Sequence, residues 1–175
     1  MNNFYVRAVR FCSFATATML LLPCGIPQAS AATQTLIQSV SAGTDDAEEK
    51  ASGTVAITST DLELTTDGTS VQTVGVRFAG LGIPKDAIIE SAYLQFNVDE
   101  KKSVATTLTI RGELPLSGSA ATFNTVKYNV SSRINAQSPA VAWAPPAWNI
   151  IHLAGPDQAT PDIGPIVQAI VNLPN

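Results

Sequence analysis

Between positions 45 and 49 the chain sets four carboxylates, Asp45, Asp46, Glu48 and Glu49, into five residues. Like charges so close are unfavourable unless water or a cation neutralises them, and calcium takes oxygen ligands from carboxylates, backbone carbonyls and water. Asp61 and Glu63, on a neighbouring strand candidate, could add ligands. The first expectation is an ordinary solvated acidic loop; the alternative is a structural calcium ion (Ca2+) held by Asp45, Asp46, Glu48 and Asp61. The glycine and closing glutamate of an EF-hand loop are not at the required spacing.

The second chemical group is aromatic. Trp143 and Trp148 flank the stiff pair Pro145-Pro146. Flat apolar rings suit stacking on sugar faces, and they suit packing in a core equally well. Tyr93, with Arg111 as its neighbour across an expected hairpin, is the next choice. The candidate ligand-binding residues are therefore Tyr93, Arg111, Trp143 and Trp148.

Raw materials for catalysis are few. His152 is the only histidine and sits in an Ile-Ile-His-Leu run, where a structural role is the simpler reading. No nucleophile elbow, phosphate loop, zinc pattern or dinucleotide fingerprint is present. The expectation is a protein that is not an enzyme. A triad or an acid pair stays open, because both are recognised by geometry rather than by sequence order.

The elements that must position these groups begin after a leader. Arg7 and Arg10 precede the apolar run 11–22, Pro23 and Gly25 break it, and Ala29-Ser30-Ala31 offers small residues for a peptidase. That is the pattern of a secretory signal over residues 1–31, and its apolar run is short of the ~20 residues that span a bilayer. Cleavage after Ala31 leaves 144 of the 175 residues as one domain, 32–175, exported to the periplasm or the extracellular space. Both cysteines, Cys12 and Cys24, fall in the leader, so the domain needs neither disulfide nor thiolate. Eight Lys or Arg against fourteen Asp or Glu give it a formal charge of −6. That balance argues against nucleic acid and against docking on anionic lipid. No later segment is apolar enough for a membrane span.

Within 32–175 the pattern reads β. After a short flexible lead at 32–34, strands are expected at 36–40, 55–58, 62–65, 71–78, 87–98 and 106–114. A weaker one is expected at 126–130, and two short extended pieces around Pro145-Pro146. The clearest is 87–98, with Ile88, Glu90, Ala92, Leu94, Phe96 and Val98 on a core face. The polar link 99–103 suggests a hairpin between 87–98 and 106–114. Several short alternating strands separated by turn residues mark a sandwich or barrel. At the end the period changes: Ile163, Ile166, Val167, Ile170 and Val171 form one stripe of a short helix. It starts either with Thr160 as cap or at Gly164 with Pro165 as first helical residue. A helix so short must cover a sheet edge or the end of a sandwich.

The stretches VSAGTDDAEE (40–49), TSTDLELTTDG (58–68), QTVGVRFAGLGIPKDAIIESAYLQFNVDE (72–100), YNVSSR (128–133), VAWAPPAW (141–148) and TPDIGPIVQAIVNLP (160–174) together resemble the DNRLRE-type domain of secreted bacterial proteins. That domain is related to carbohydrate-binding modules found beside polysaccharide lyases. The resemblance implies an all-β, jelly-roll-like sandwich with a short C-terminal helix, non-catalytic, serving attachment or polysaccharide binding. Domains of this family usually continue past the position matching Asn175 with further strands, so the resemblance also implies an incomplete, C-terminally truncated sandwich. The expected partner is a polysaccharide or cell-surface glycan. A purely structural or protein-interaction domain is the rival, and a hydrolase or lyase the third reading.

Overall fold

The computed structural model describes residues 5–13 as backbone and residues 32–116 and 119–174 with their side chains. Most of the leader's apolar run and its cleavage site lie outside the described residues. Ten strands and one α-helix follow in order: β1 Tyr5–Ser13, β2 Ala32–Ser39, β3 Asp46–Lys50, β4 Val55–Ala56, β5 Thr66–Asp67, β6 Ser70–Val76, β7 Ile88–Ser91, β8 Leu94–Gln95, β9 Leu108–Arg111, β10 Ala140–Trp143 and α1 Gly164–Val171. They make three small antiparallel sheets: β2-β1-β7 with β8 also on β1, β4-β3-β6-β5, and β10-β9. The described residues are thus β-rich with one C-terminal α-helix. No described helix is long and apolar enough to cross a membrane.

Several expectations need correction. Residues 32–34 belong to β2 rather than to a flexible lead. The acidic stretch is strand, not loop, because β3 pairs with β6 from Asp46–Val76 to Lys50–Gln72. Residues 62–65 are irregular, and 126–130 is a turn leading into a 3-10 helix at Ser131–Arg133. The expected hairpin does not form: β9 pairs with β10, from Arg111–Ala140 to Leu108–Trp143. The link 99–107 is drawn away by Lys102, which exchanges both backbone hydrogen bonds with Trp148 at 2.9 and 2.8 Å.

The strand at 87–98 is broken at Ala92–Tyr93, and its inward face changes across the break. Before it, Ala87 and Ile89 pack on the core while Ile88 is 47% exposed; after it, Phe96 and Val98 are buried. Burying these two contributes roughly 1.5–3 kcal/mol each. The break has a visible cause, the segment 158–168 along one edge. The N–H groups of Ile89, Ala92 and Leu94 donate to side-chain oxygens of Gln168, Asp162 and Thr160 at 2.8–3.0 Å. Gln168 also donates to the Ala87 carbonyl, so its amide mimics a ladder residue.

The helix begins at Gly164 with Pro165 in its first turn. Thr160 is therefore not its cap; that hydroxyl serves Leu94 instead, and Asp162 accepts the Gly164 N–H. Ile163 and Ile166 are buried with Ala87 and Ala92, and Val167 and Val171 pack around them. The helix covers a sheet edge, as a helix too short to stand alone must.

Candidate functional site

Strand alternation divides the acidic cluster. Asp45, Glu48 and Glu49 are all buried, and each finds a different partner. Asp45 pairs with the Arg77 guanidinium at 2.5 Å. Glu49 accepts the N–H groups of Val130 and Ser131 at 2.8 and 3.0 Å. Glu48, on the opposite face of β3 from Glu49, accepts the Glu63 N–H. Burial pushes the Asp46 carboxyl above its ordinary range; its backbone hydrogen bond opposes that, and Asp45 and Glu48 add to it. Asp61 is turned to its own loop, accepting from the Ser59 hydroxyl. Among the described residues, no three side chains of metal-binding type converge.

What does converge is Glu48 with Glu63. Their side-chain hydrogen bond raises the Glu63 carboxyl from 4.5 to about 8, with burial and the charges of Glu48, Asp61 and Asp67 adding to the effect. A neighbouring carboxylate that accepts a hydrogen bond favours the neutral, proton-bearing form of the Glu63 carboxyl. Glu63, expected as an additional calcium ligand, is paired instead with a carboxyl fifteen residues away, a separation at which local sequence carries no sign of the contact.

Beside that pair opens a cleft of about 480 Å3. Phe96, Leu62, Leu64, Pro145, Pro146 and Trp148 supply its apolar lining, and Asp61, Glu63, Asn97, Asp99, Glu100 and Lys102 supply polar groups. Trp148 is held on three sides. Its backbone pairs with Lys102, its indole N–H donates to the Asp157 carbonyl at 3.1 Å, and its ring lies 6.2 Å from Phe96 and 6.1 Å from Trp143. Phe96 and Trp143 stack behind it at 5.5 Å and 19°. Trp148 remains half-buried, so part of its surface is available to the cleft. Lys102, exposed, is held by Glu100 at 2.9 Å, whose hydrogen bond and charge raise its pKa.

The four candidate ligand residues are divided: Arg111 and Trp143 line one cleft, Trp148 lines another, and Tyr93 lines neither. Trp143 is 5% exposed and packs with Phe96 in the core, showing only a small part of its surface to the second cleft. Tyr93 is half-buried at the break between β7 and β8 and lines neither this cleft nor the next. Arg111, expected beside Tyr93, instead lines a second cleft of about 690 Å3 between β6 and β9, and its guanidinium donates to the Ser138 carbonyl at 2.8 Å. Only Trp148 stands in the smaller cleft. Asn97, Asp99, Glu100 and Lys102 were missed as site residues, since nothing in a polar link announces that it will fold back over a tryptophan. His152 lies exposed on a turn with φ 64°, its N–H donating to the Val98 carbonyl. Compared with known proteins, the chain gives no significant match to a family model, a curated protein or a solved structure.

Proposed function

We propose that this chain is a secreted, non-catalytic β-sandwich module of jelly-roll type that binds an extracellular polysaccharide in the cleft at Trp148. The observation that carries the reading is a tryptophan immobilised by backbone, indole and ring contacts while still facing a cleft of ligand size. A rigid ring loses little freedom when a sugar stacks on it, and Asn97 and Lys102 can hydrogen-bond hydroxyls. The three carboxylates of Asp61, Asp99 and Glu100 against one lysine favour a neutral sugar chain over a uronate. Family resemblance to the DNRLRE-type domain supports the same reading.

Glycan-array binding of the exported domain, followed by affinity measurement, tests it. Binding to neutral polysaccharide that is lost in Trp148→Ala supports the proposal; a blank array removes it. The rival reading, a structural or protein-interaction domain, is favoured by one observation: the indole N–H is already satisfied by Asp157. A glycosidase reading fits the acid pair poorly. Carboxyls that hydrolyse glycosides stand about 5–9.5 Å apart to admit the sugar, whereas Glu48 and Glu63 share a hydrogen bond. The calcium part of the reading is supported by these two carboxyls alone, for an ion that takes six to eight oxygens. A melting curve unchanged by chelator would remove it.

A further inference from the structure

The strand β1 lies inside a sheet, with β2 on one side and β7 and β8 on the other, antiparallel to both. Its register with β2 runs from Tyr5–Ser39 to Ser13–Ala32; across it, Cys12 meets Ile88, Phe11 meets Ile89, and Val6 meets Leu94. Among the described residues, β1 is the only ladder partner of β2. Leu36 of β2, Ile89 of β7 and Leu94 of β8 all pack on the core of Ala87, Ala92, Ile163 and Ile166. The opposite edge of β7 and β8 is already taken by Gln168, Asp162 and Thr160. The β1 side is therefore the edge left to be filled.

All of β1 falls within the 31 residues read as a cleaved leader. Its removal opens a slot one strand wide, about 10 Å from β2 to β7, between two edges of unpaired backbone groups. The chain's own β2 is a poor substitute. Being antiparallel to β1, it runs parallel to β7 and β8, so sliding across would reverse the pairing sense that the slot accepts. The residues that fit the slot in this structure bring Arg7 and Arg10 and no acid to a domain of formal charge −6. We propose that the exported domain accepts, between β2 and β7–β8, an extended basic and apolar segment of a partner polypeptide that pairs antiparallel on both sides. This inference rests on leader cleavage, which is part of the export reading, and is independent of glycan binding.

The test uses the exported protein, its N-terminus read by intact mass, and a synthetic peptide of sequence 5–13 as probe. Hydrogen exchange is followed at residues 33–39, 88–91 and 94–95 with and without peptide. Slowing of at least tenfold at all three segments is expected, with a peptide carrying Phe11→Pro giving none, because Phe11 is flanked by Gln34 and Ile89 and its N–H faces a paired strand on either side. A domain that folds only when the peptide is added supports the proposal equally. Full protection of these segments without peptide, binding indifferent to the proline, or a chain unfolded in both conditions overturns it. A mass that retains residues 5–13 also overturns it, since the slot would then keep its own strand, while a blank glycan array with tenfold protection leaves the acceptor site standing.

Discussion

The Glu63 N–H donates to the Glu48 carboxylate while the two side chains share a second hydrogen bond. One backbone and one side-chain contact therefore bind the irregular segment 61–65 to β3, beneath the cleft that Trp148 faces. The Glu63 carboxyl is held protonated up to about pH 8 by that contact, against an ordinary 4.5. Between these values the folded chain keeps a proton that the unfolded chain has released. Stability from this group is therefore complete below pH 4.5 and is lost as pH rises through 8. Asp46, also raised, adds with the same sign. The melting temperature is expected to fall from pH 5 to pH 8.5, and to fall less in Glu63→Gln, which stays neutral. Because Glu63 is only partly buried, the variant's advantage at pH 8.5 is about 1 kcal/mol. Parallel curves for the two proteins would show that Glu63 does not hold the proton.

Asp45, just before β3, and Arg77, just after β6, form an ion pair whose carboxylate is buried and whose guanidinium is partly exposed, with the Arg77 side chain also donating to the Ala120 carbonyl. Removing one partner strands the other charge, so Arg77→Met is expected to cost about 3–5 kcal/mol. The double variant Asp45→Asn, Arg77→Met should recover much of that loss. Chemical denaturation of the three variants checks it; equal losses in single and double variants would place the cost in packing rather than charge.

How far the sequence foretells this arrangement is seen at these same residues. The crowding of carboxylates at 45–49 is plain, yet their partners are not, because Glu63, Arg77 and Val130 lie 15, 32 and 81 residues away. Local alternation likewise finds the strand at 87–98 but not its break. That break depends on Asp162, 70 residues downstream, taking the Ala92 N–H. The helical stripe at 163–171 is the best-read element, since its period and its proline are both local. Cleft residues 97–102 are illegible because only the reciprocal pairing of Lys102 with Trp148 folds that link back.

Asp162 carries two duties on one oxygen: it accepts the N–H groups of Ala92 at 2.9 Å and of Gly164 at 2.8 Å. Asp162→Ala leaves both donors without that partner at the joint between strand and helix. The expected cost is about 2–3 kcal/mol, with faster hydrogen exchange at Ala92 and along the first turn of α1. Unchanged exchange there would mean that backbone pairing of Ile163 with the Ala92 carbonyl holds the joint by itself.

Trp143 and Trp148 look equivalent across the double proline, yet they should fail in different ways. Trp143 is 5% exposed and stacked on Phe96, so Trp143→Ala opens a cavity and is expected to cost about 3–5 kcal/mol. Trp148 contributes less buried surface and more cleft lining. Its alanine variant should lose about 1–2 kcal/mol of stability, the ring contact with Phe96 and the bond to Asp157 being the parts removed. Sugar affinity should fall at least tenfold in that variant. Trp148→Phe keeps a stacking face without the indole N–H, and so should retain most of the binding while sharing the stability loss. Titration with an array-identified glycan and denaturant melts, run on all three variants, separate the two roles. If Trp148→Ala binds as tightly as the parent, the ring belongs to the fold alone and the cleft must recognise something else.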